Sequence, residues 1–102
     1  MNDNKFKSFQ EFYPYYLSEH KLKINKILHI IGSLLGLFFL ISIIYFKNYK
    51  YIPFSFLFGY TFAWVGHFVF EKNRPATFKY PIYSFIGDWV MLKDILTRKI
   101  KL

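Results

Sequence analysis

The chain has 102 residues, 54% of them hydrophobic and 25% aromatic, and its 14 lysines and arginines against 6 acidic residues give a net charge of +8. This length leaves no room for a second sizeable domain, and so apolar a composition argues against a small nucleic-acid-binding protein, so no nucleic-acid partner is expected. The absence of cysteine excludes disulfides, thiolate nucleophiles and thiolate metal ligands.

The first predicted element is an amphipathic segment over about residues 6–25. Aromatic and apolar residues share one face at Phe6, Phe9, Tyr13 and Tyr16 or Leu17. Pro14 breaks this face. The pattern predicts a helix that lies in the membrane surface.

Two windows of twenty residues follow, 27–46 and 51–70, and neither contains a charged residue. Each gives about 30 Å of helix, enough to cross the apolar core of a bilayer. The first window lies too deep in the chain, behind too many lysines, to be a removable signal peptide. Both are therefore predicted to be transmembrane helices.

The cations are distributed unevenly around these two windows. Only Lys47 and Lys50 lie in the short connection, whereas twelve lie before or after the pair: Lys5, Lys7, Lys21, Lys23, Lys26, Lys72, Arg74, Lys79, Lys93, Arg98, Lys99 and Lys101. The positive-inside rule then places both termini in the cytoplasm, and the charge also favours anionic lipid head groups.

A last helix is predicted over about residues 80–96. Pro75 is expected to end the second transmembrane helix, and Pro81 can open the next one. Its apolar stretch is interrupted by Asp88 and is short for a crossing, so a re-entrant or interfacial helix is preferred. The predicted fold is thus a single all-α integral membrane domain, residues 1–102, with an antiparallel transmembrane helical hairpin between the two flanking helices.

The three histidines of the chain are predicted to lie at one depth. His29 is the third residue of the first window and His67 is the fourth from the end of the second, so an antiparallel pair brings them level near the cytoplasmic face. His20 precedes the membrane by about two helical turns, and a surface segment that folds back can reach the same place.

Small residues indicate which way these side chains point. Gly32, Ser33 and Gly36 follow His29 on its own helix face, and Ala63 and Gly59 or Tyr60 precede His67 on its face. Such stripes allow close helix packing, within one chain or between copies of a homo-oligomer. Both histidines should therefore face the helix contact, and Glu71 continues the His67 face.

Several interpretations of these polar residues stay open. Each histidine alone can be a structural hydrogen-bonding residue, whereas three together favour a metal or haem site. Glu19 can be a solvated acid, Asn73 and Thr77 helix caps, and Arg74 a head-group anchor or a carboxylate ligand. Asp88, one turn after Ser84, can orient a ligand imidazole or pair with Arg74.

The stretches "YYLSEHKLKINKILHIIG" and "GYTFAWVGHFVFEKNRPATFKYPIYSFIGDWVM" resemble a small membrane-protein family. Its fungal member is the 2-hydroxy fatty acid dioxygenase of phytosphingosine breakdown. The similarity covers roughly residues 15–91, and Gly-His followed by Glu-x-Asn-Arg-Pro-Ala is its most specific signature. Members of this family are often longer, with additional hydrophobic segments.

The resemblance implies an iron(II)-dependent α-oxidation, in which a long-chain 2-hydroxy fatty acid and O₂ give the fatty acid one carbon shorter and carbon dioxide. It implies His20, His29 and His67 as the Fe(II) ligands. Glu71 or Glu19 is a further candidate ligand or acceptor, and Arg74, with Asn73 and Asp88, is a candidate for binding the substrate. Location in a bacterial inner membrane, or in the endoplasmic reticulum of a eukaryote, is expected.

Three other functions compete with this one. Paired histidines on facing membrane helices also occur in b-type haem proteins. A non-enzymatic lipid-binding membrane scaffold would use the histidines structurally, and a proton-coupled transporter would need more than two convincing spans unless oligomers form its path.

Overall fold

Four α-helices dominate the computed structural model, which describes residues 6–102. They are α1 (Phe9–Ser18), α2 (Lys23–Tyr45), α3 (Ile52–Val65) and α4 (Pro81–Leu96). Short 3-10 turns span Tyr49–Tyr51 and Ala76–Phe78, and a π-helical segment, Gly66–Glu71, continues α3. No strand occurs in the described range, so the predicted all-α class is confirmed. Lys5 lies outside that range.

The two predicted transmembrane windows lie in the two longest helical stretches. Helix α2, Lys23–Tyr45, and the continuous stretch Tyr49–Glu71 are both long and apolar enough to cross a membrane. Most of their surface is left uncovered by the rest of the protein, as for Phe38, which is 69% exposed. Large exposed apolar side chains of this kind are what lipid would solvate, and membrane crossing itself stays a prediction.

Helices α2 and α3 approach closely where glycine meets glycine. A Cβ atom added to Gly32 would lie 2.9 Å from the backbone oxygen of Gly59, and one added to Gly36 would lie 2.9 Å from that of Ser55. These positions pair in reverse order along the two helices. The small residues singled out in the sequence therefore permit a contact that any larger residue at Gly32 or Gly36 would push apart.

Helix α1 packs against α4 through an aromatic core. Phe12 and Tyr16 are fully buried with Met91, and the Tyr16 ring lies so close to Gly87 that an added Cβ would be 2.9 Å from it. The helix runs through Pro14, which is exposed and so does not belong to this face. The aromatic face predicted to rest on a membrane thus covers another helix of the protein.

The helical stretch that contains α3 ends before Pro75, the residue predicted to end it. The π-helical segment ends at Glu71, and Lys72 adopts a left-handed conformation (φ 60°) from which its N–H donates to the carbonyl of His67. Pro75, expected to end the helix, follows four residues later. Pro81 does begin α4, as predicted.

Candidate metal centre

Three separate segments bring the histidines together. His20 lies in the link after α1, His29 in the second turn of α2, and His67 in the π-helical segment. All three are buried, with 1%, 4% and 2% of their surface exposed. The convergence predicted from their depth in the sequence is present in the structure.

The imidazole rings meet through their outer nitrogens. Nε2 of His20 lies 3.0 Å from Nε2 of His29 and 3.0 Å from Nε2 of His67. One nitrogen from each ring lies within 4.8 Å of the others. The rings are nearly perpendicular to one another, which directs three nitrogen atoms at one small volume.

The other nitrogen of each ring is already used. His20 Nδ1 lies 2.6 Å from the carbonyl of Tyr16, and His29 Nδ1 lies 2.9 Å from the carbonyl of Asn25. His67 Nδ1 lies 2.7 Å from Oδ1 of Asn73. A carbonyl oxygen can only accept, so each Nδ1 must carry its hydrogen and donate it.

These three bonds fix the protonation of the cluster. A neutral imidazole with its hydrogen on Nδ1 has a lone pair, and no hydrogen, on Nε2. The Nε2 acceptor of His20 then faces the Nε2 acceptors of His29 and His67 at 3.0 Å each, an arrangement that repels unless a cation lies between them. Hydrogen bonds from ligand imidazoles to backbone carbonyls and amides are the usual way in which proteins orient them towards a metal.

The donor set fits a divalent transition metal. Neutral imidazole suits zinc, copper, iron and nickel, and metal–nitrogen bonds of about 2.1 Å at right angles place two nitrogens about 3.0 Å apart. Burial, with His29 and His67 close by, also lowers the pKa of His20 well below its usual value, so this ring stays neutral at physiological pH. The residues present therefore fit a bound cation.

Asn73 links the cluster to α1. Its side-chain oxygen accepts from His67, and its amide nitrogen donates to the backbone carbonyl of Glu19 at 3.1 Å. The residue predicted to be a cap or a substrate contact therefore holds a histidine in place. Glu19 contributes its backbone here, and its role as a ligand stays a prediction.

Glu71 lies at the beginning of α2. Its carboxylate accepts from the backbone N–H groups of Lys21 and Leu22 at 3.2 and 3.1 Å, and from the side-chain amide of Asn25 at 3.1 Å. Leu22, the N-cap of α2, supplies no capping side chain of its own. Glu71 thus does what a capping residue does, from another segment of the chain.

A small pocket beside the histidines carries further polar side chains. It is lined by the three histidines and by Tyr16, Ala63, Ala76, Thr77, Ser84 and Asp88. The Ser84 hydroxyl is buried and has no hydrogen-bond partner among residues 6–102. An orphaned hydroxyl next to a candidate metal centre is available to a bound molecule.

Asp88 connects this pocket to α1. It accepts a hydrogen bond from the hydroxyl of Tyr16, whose ring stacks on His20 with centroids 4.0 Å apart. Burial raises the pKa of Asp88 to about 7, although the Tyr16 hydrogen bond acts the other way. Asp88 therefore does not orient an imidazole directly, and it has no ion pair with Arg74 in the described chain. Arg74 is exposed.

Two residues of this site went unnoticed in the sequence. Tyr16 and Asn25 each lie four positions before a histidine and present a backbone carbonyl to its ring. The spacing is a usable signal, because residues four apart share one helix face. Asn25 is itself a signal, because an amide side chain at the beginning of an apolar helix is unusual. In the structure it is fully buried.

Buried imidazoles whose free nitrogens face one another define a candidate metal centre in an all-helical protein with two membrane-compatible helices. The family model described as 2-hydroxy-palmitic acid dioxygenase Mpo1-like matches residues 6–100. The chain therefore belongs to this family, and the resemblance seen in its motifs is confirmed. No curated protein and no solved structure matches the chain.

Proposed function

We propose that this protein is a membrane-bound iron(II)-dependent dioxygenase that converts long-chain 2-hydroxy fatty acids into fatty acids one carbon shorter, with release of carbon dioxide. The observation that carries the proposal is the set of three Nε2 acceptors, 3.0 Å apart in two of their pairs, whose Nδ1 donors are all engaged elsewhere. The family description, which names a dioxygenase of a 2-hydroxy acid, supports the choice of reaction.

The proposed placement is a transmembrane hairpin of α2 and α3 with both termini in the cytoplasm. The distribution of cations supports this orientation. It puts the histidine cluster just inside the cytoplasmic leaflet, where the carboxylate of a fatty acid lies while its tail extends into the bilayer. Bacterial inner membrane is the proposed location, or endoplasmic reticulum in a eukaryote.

The overall reaction needs no further reductant. The bond between the carboxylate carbon and the carbinol carbon breaks. The carboxylate carbon leaves as carbon dioxide, and the carbinol carbon becomes the carboxyl group of the shorter acid. O₂ accepts the four electrons released, and its two oxygen atoms end in water and in the oxidised products. When bound, iron(II) supplies a positive charge for the anionic hydroxy acid and the redox chemistry through which O₂ reacts.

The chain's own residues bind and orient the head of the substrate. The orphaned Ser84 hydroxyl and the Asp88 carboxyl group line the small pocket next to the histidines. They are positioned to hydrogen-bond a hydroxyl group that enters it. Arg74 is proposed to attract the carboxylate from the surface, since a guanidinium suits a carboxylate held by two hydrogen bonds.

The spacing of the imidazoles speaks against the haem alternative. Two axial ligands on opposite faces of a haem need their nitrogens about 4 Å apart, twice a metal–nitrogen bond of about 2 Å. The pair on facing helices, His29 and His67, has ring centroids only 4.9 Å apart, and His20 Nε2 is 3.0 Å from the Nε2 of each. A porphyrin does not fit between rings this close.

Metal content and oxygen consumption test the proposal. The purified protein should contain one iron per chain, or take up one on reconstitution, and should consume O₂ when a 2-hydroxy fatty acid is added. His20→Ala, His29→Ala and His67→Ala should each lose the metal and the activity. Ser42→Ala is the matched control, because Ser42 lies on α2 far from the histidines, lines neither the small pocket nor the groove between α2, α3 and α4, and bonds through its hydroxyl only to the Phe38 carbonyl.

Two results would contradict the proposal in different ways. Stoichiometric metal that persists in the triple alanine variant would place the metal elsewhere. A protein that binds iron through the histidines but shows no O₂ uptake with any 2-hydroxy acid would keep the metal centre and remove the proposed reaction.

A further inference from the structure

A groove runs along the protein from the histidine cluster. It lies between α2, α3 and α4 and has a volume of about 240 Å³. On α2 it follows Ser33 and Leu37 to Leu40, and across from them it follows Tyr60 and Phe56 of α3. We call it the lateral groove.

The lateral groove is continuous with the small pocket that holds the histidines. His29, Ala63 and Asp88 line both cavities. A molecule whose polar end lies at the metal centre can therefore extend an apolar part along α2 in this groove. This continuity separates the groove from the second apolar pocket, around Phe39 and Phe58, which no histidine lines.

The lining suits a straight alkyl chain. Leu37, Leu40 and Phe56 give it apolar walls, and Phe56 and Phe85, with ring centroids 5.9 Å apart, join α3 to α4 along one edge. The volume lies below the range of about 300 to 1,000 Å³ typical of small-molecule sites. A single narrow chain fits such a space better than a ring system or a pair of chains.

The length of the groove sets a limit on that chain. From His29 to Leu40 is eleven residues of helix, or about 16 Å. An extended chain advances about 1.2 Å per bond, as the polypeptide backbone does, so the groove accommodates roughly thirteen carbons beyond the metal centre.

We propose that the lateral groove binds the acyl chain of the hydroxy acid and selects its length, with Leu40 closing the far end. The inference rests on the proposed function, because it takes the polar end of the ligand to be at the histidines. Carbons within the groove contact the protein and so contribute to binding. Carbons beyond Leu40 stay in the surroundings and contribute nothing.

The test is a chain-length series of 2-hydroxy fatty acids, bound to zinc-loaded protein in amphipol and measured by calorimetry. Zinc supports binding without turnover. In the wild type, affinity should rise by up to about fourfold per methylene, the fold-change given by about 0.8 kcal/mol, and should level off near the length that fills the groove.

Three variants make the test specific. Ser33→Phe fills the groove about one turn from His29, so long acids should lose at least about tenfold in affinity, the contribution of two or more methylenes, while the shortest acids are unchanged. Leu34→Phe, the adjacent residue, is 48% exposed and outside the groove, and should behave as the wild type. Leu40→Ala should move the plateau to longer chains.

Equal profiles for Ser33→Phe and Leu34→Phe, or an unmoved plateau in Leu40→Ala, would overturn the inference. If Ser33→Phe does not fold, Leu40→Ala decides alone. O₂ uptake separates the two proposals. A flat chain-length profile with normal turnover defeats the groove only, whereas the expected profile without turnover defeats the dioxygenase only.

Discussion

The two ends of the α2–α3 pair differ in what surrounds them. At the histidine end, His29, His67 and Asn25 are buried, and hydrogen bonds join segments far apart in sequence, from Asn25 to Glu71 and from Asn73 to the carbonyl of Glu19. At the other end, Tyr45 and Phe46 are 77% and 67% exposed, and the described contacts are local or apolar. One end is held by directional bonds, and the other by contacts between aromatic side chains and by whatever apolar medium covers it.

This difference indicates which end of the helix pair carries the functional groups. Polar groups withdrawn from water are costly unless each finds a partner. At the histidine end the Nδ1 atoms of all three rings have found one, which fixes the orientation of the rings, whereas Oδ1 of Asn25 and the hydroxyl of Ser84 have none among residues 6–102. Substitutions there should alter metal binding or its pH dependence, whereas matched substitutions at the other end should not.

The largest expected effect concerns pH. The pKa of Asp88 rises from 3.8 to about 7 on folding, mainly through burial. Between these values the unfolded chain releases a proton that the folded protein keeps, so this group lowers stability as pH rises from about 4 to about 7. At about 1.4 kcal/mol per pKa unit, Asp88→Asn should recover up to roughly 4 kcal/mol of unfolding free energy at neutral pH, and none near pH 3.

His20, with its pKa lowered by burial, acts in the opposite sense over part of this range. The measurement is therefore the difference between the two proteins, from denaturant titrations of metal-free samples at several pH values. A difference that does not change with pH would show that Asp88 ionises normally in the folded protein.

Two glycine substitutions should distinguish the packing at the histidine end from the packing at the middle of the helix pair. A Cβ on Gly66 would lie 2.0 Å from Oδ1 of Asn25, whereas a Cβ on Gly59 would meet nothing nearer than 3.4 Å. Gly66→Ala should lower the unfolding free energy by about 3 kcal/mol, because Asn25 must move. Gly59→Ala should change it by less than about 1 kcal/mol. Comparable losses in the two variants would contradict the distinction.

Substitutions of two asparagines, one at each end of the helix pair, can be compared by their effect on metal affinity. Asn73→Ala removes the acceptor that fixes His67, so metal affinity should fall by about 10- to 100-fold, as for other residues that orient a ligand. Asn48→Ala, an exposed position in the connection at the other end, should leave the affinity unchanged. Competition with a chelator of known affinity measures both.

Glu71→Gln should have the smallest effect and settles the role of this residue. Glutamine keeps one acceptor oxygen but loses the charge at the beginning of α2, so the unfolding free energy should fall by about 1 kcal/mol. Bound metal should stay at one per chain. Loss of the metal with stability retained would make Glu71 a ligand instead.

The sequence predicted the gross architecture well, because long uncharged windows and three histidines at matching depths are one-dimensional signals. It could not predict where α1 packs. The aromatic face around Phe12 is compatible both with a membrane surface and with α4, and only the tertiary contact with Met91 decides between them. The role of Glu71 was hidden for a similar reason, since Lys21 and Leu22 are fifty and forty-nine residues away.

The π-helical segment Gly66–Glu71 has a consequence for anyone who transplants or evolves this site. A π turn accommodates one more residue than an α turn, so it works like an insertion that the helix has absorbed. Deleting a single residue there would restore regular winding and rotate everything on one side by about 100° relative to the other. His67 would then point away from His20 and His29 although its neighbours in sequence were unchanged. The metal centre therefore depends on the number of residues between Ala63 and Asn73 as well as on their identity.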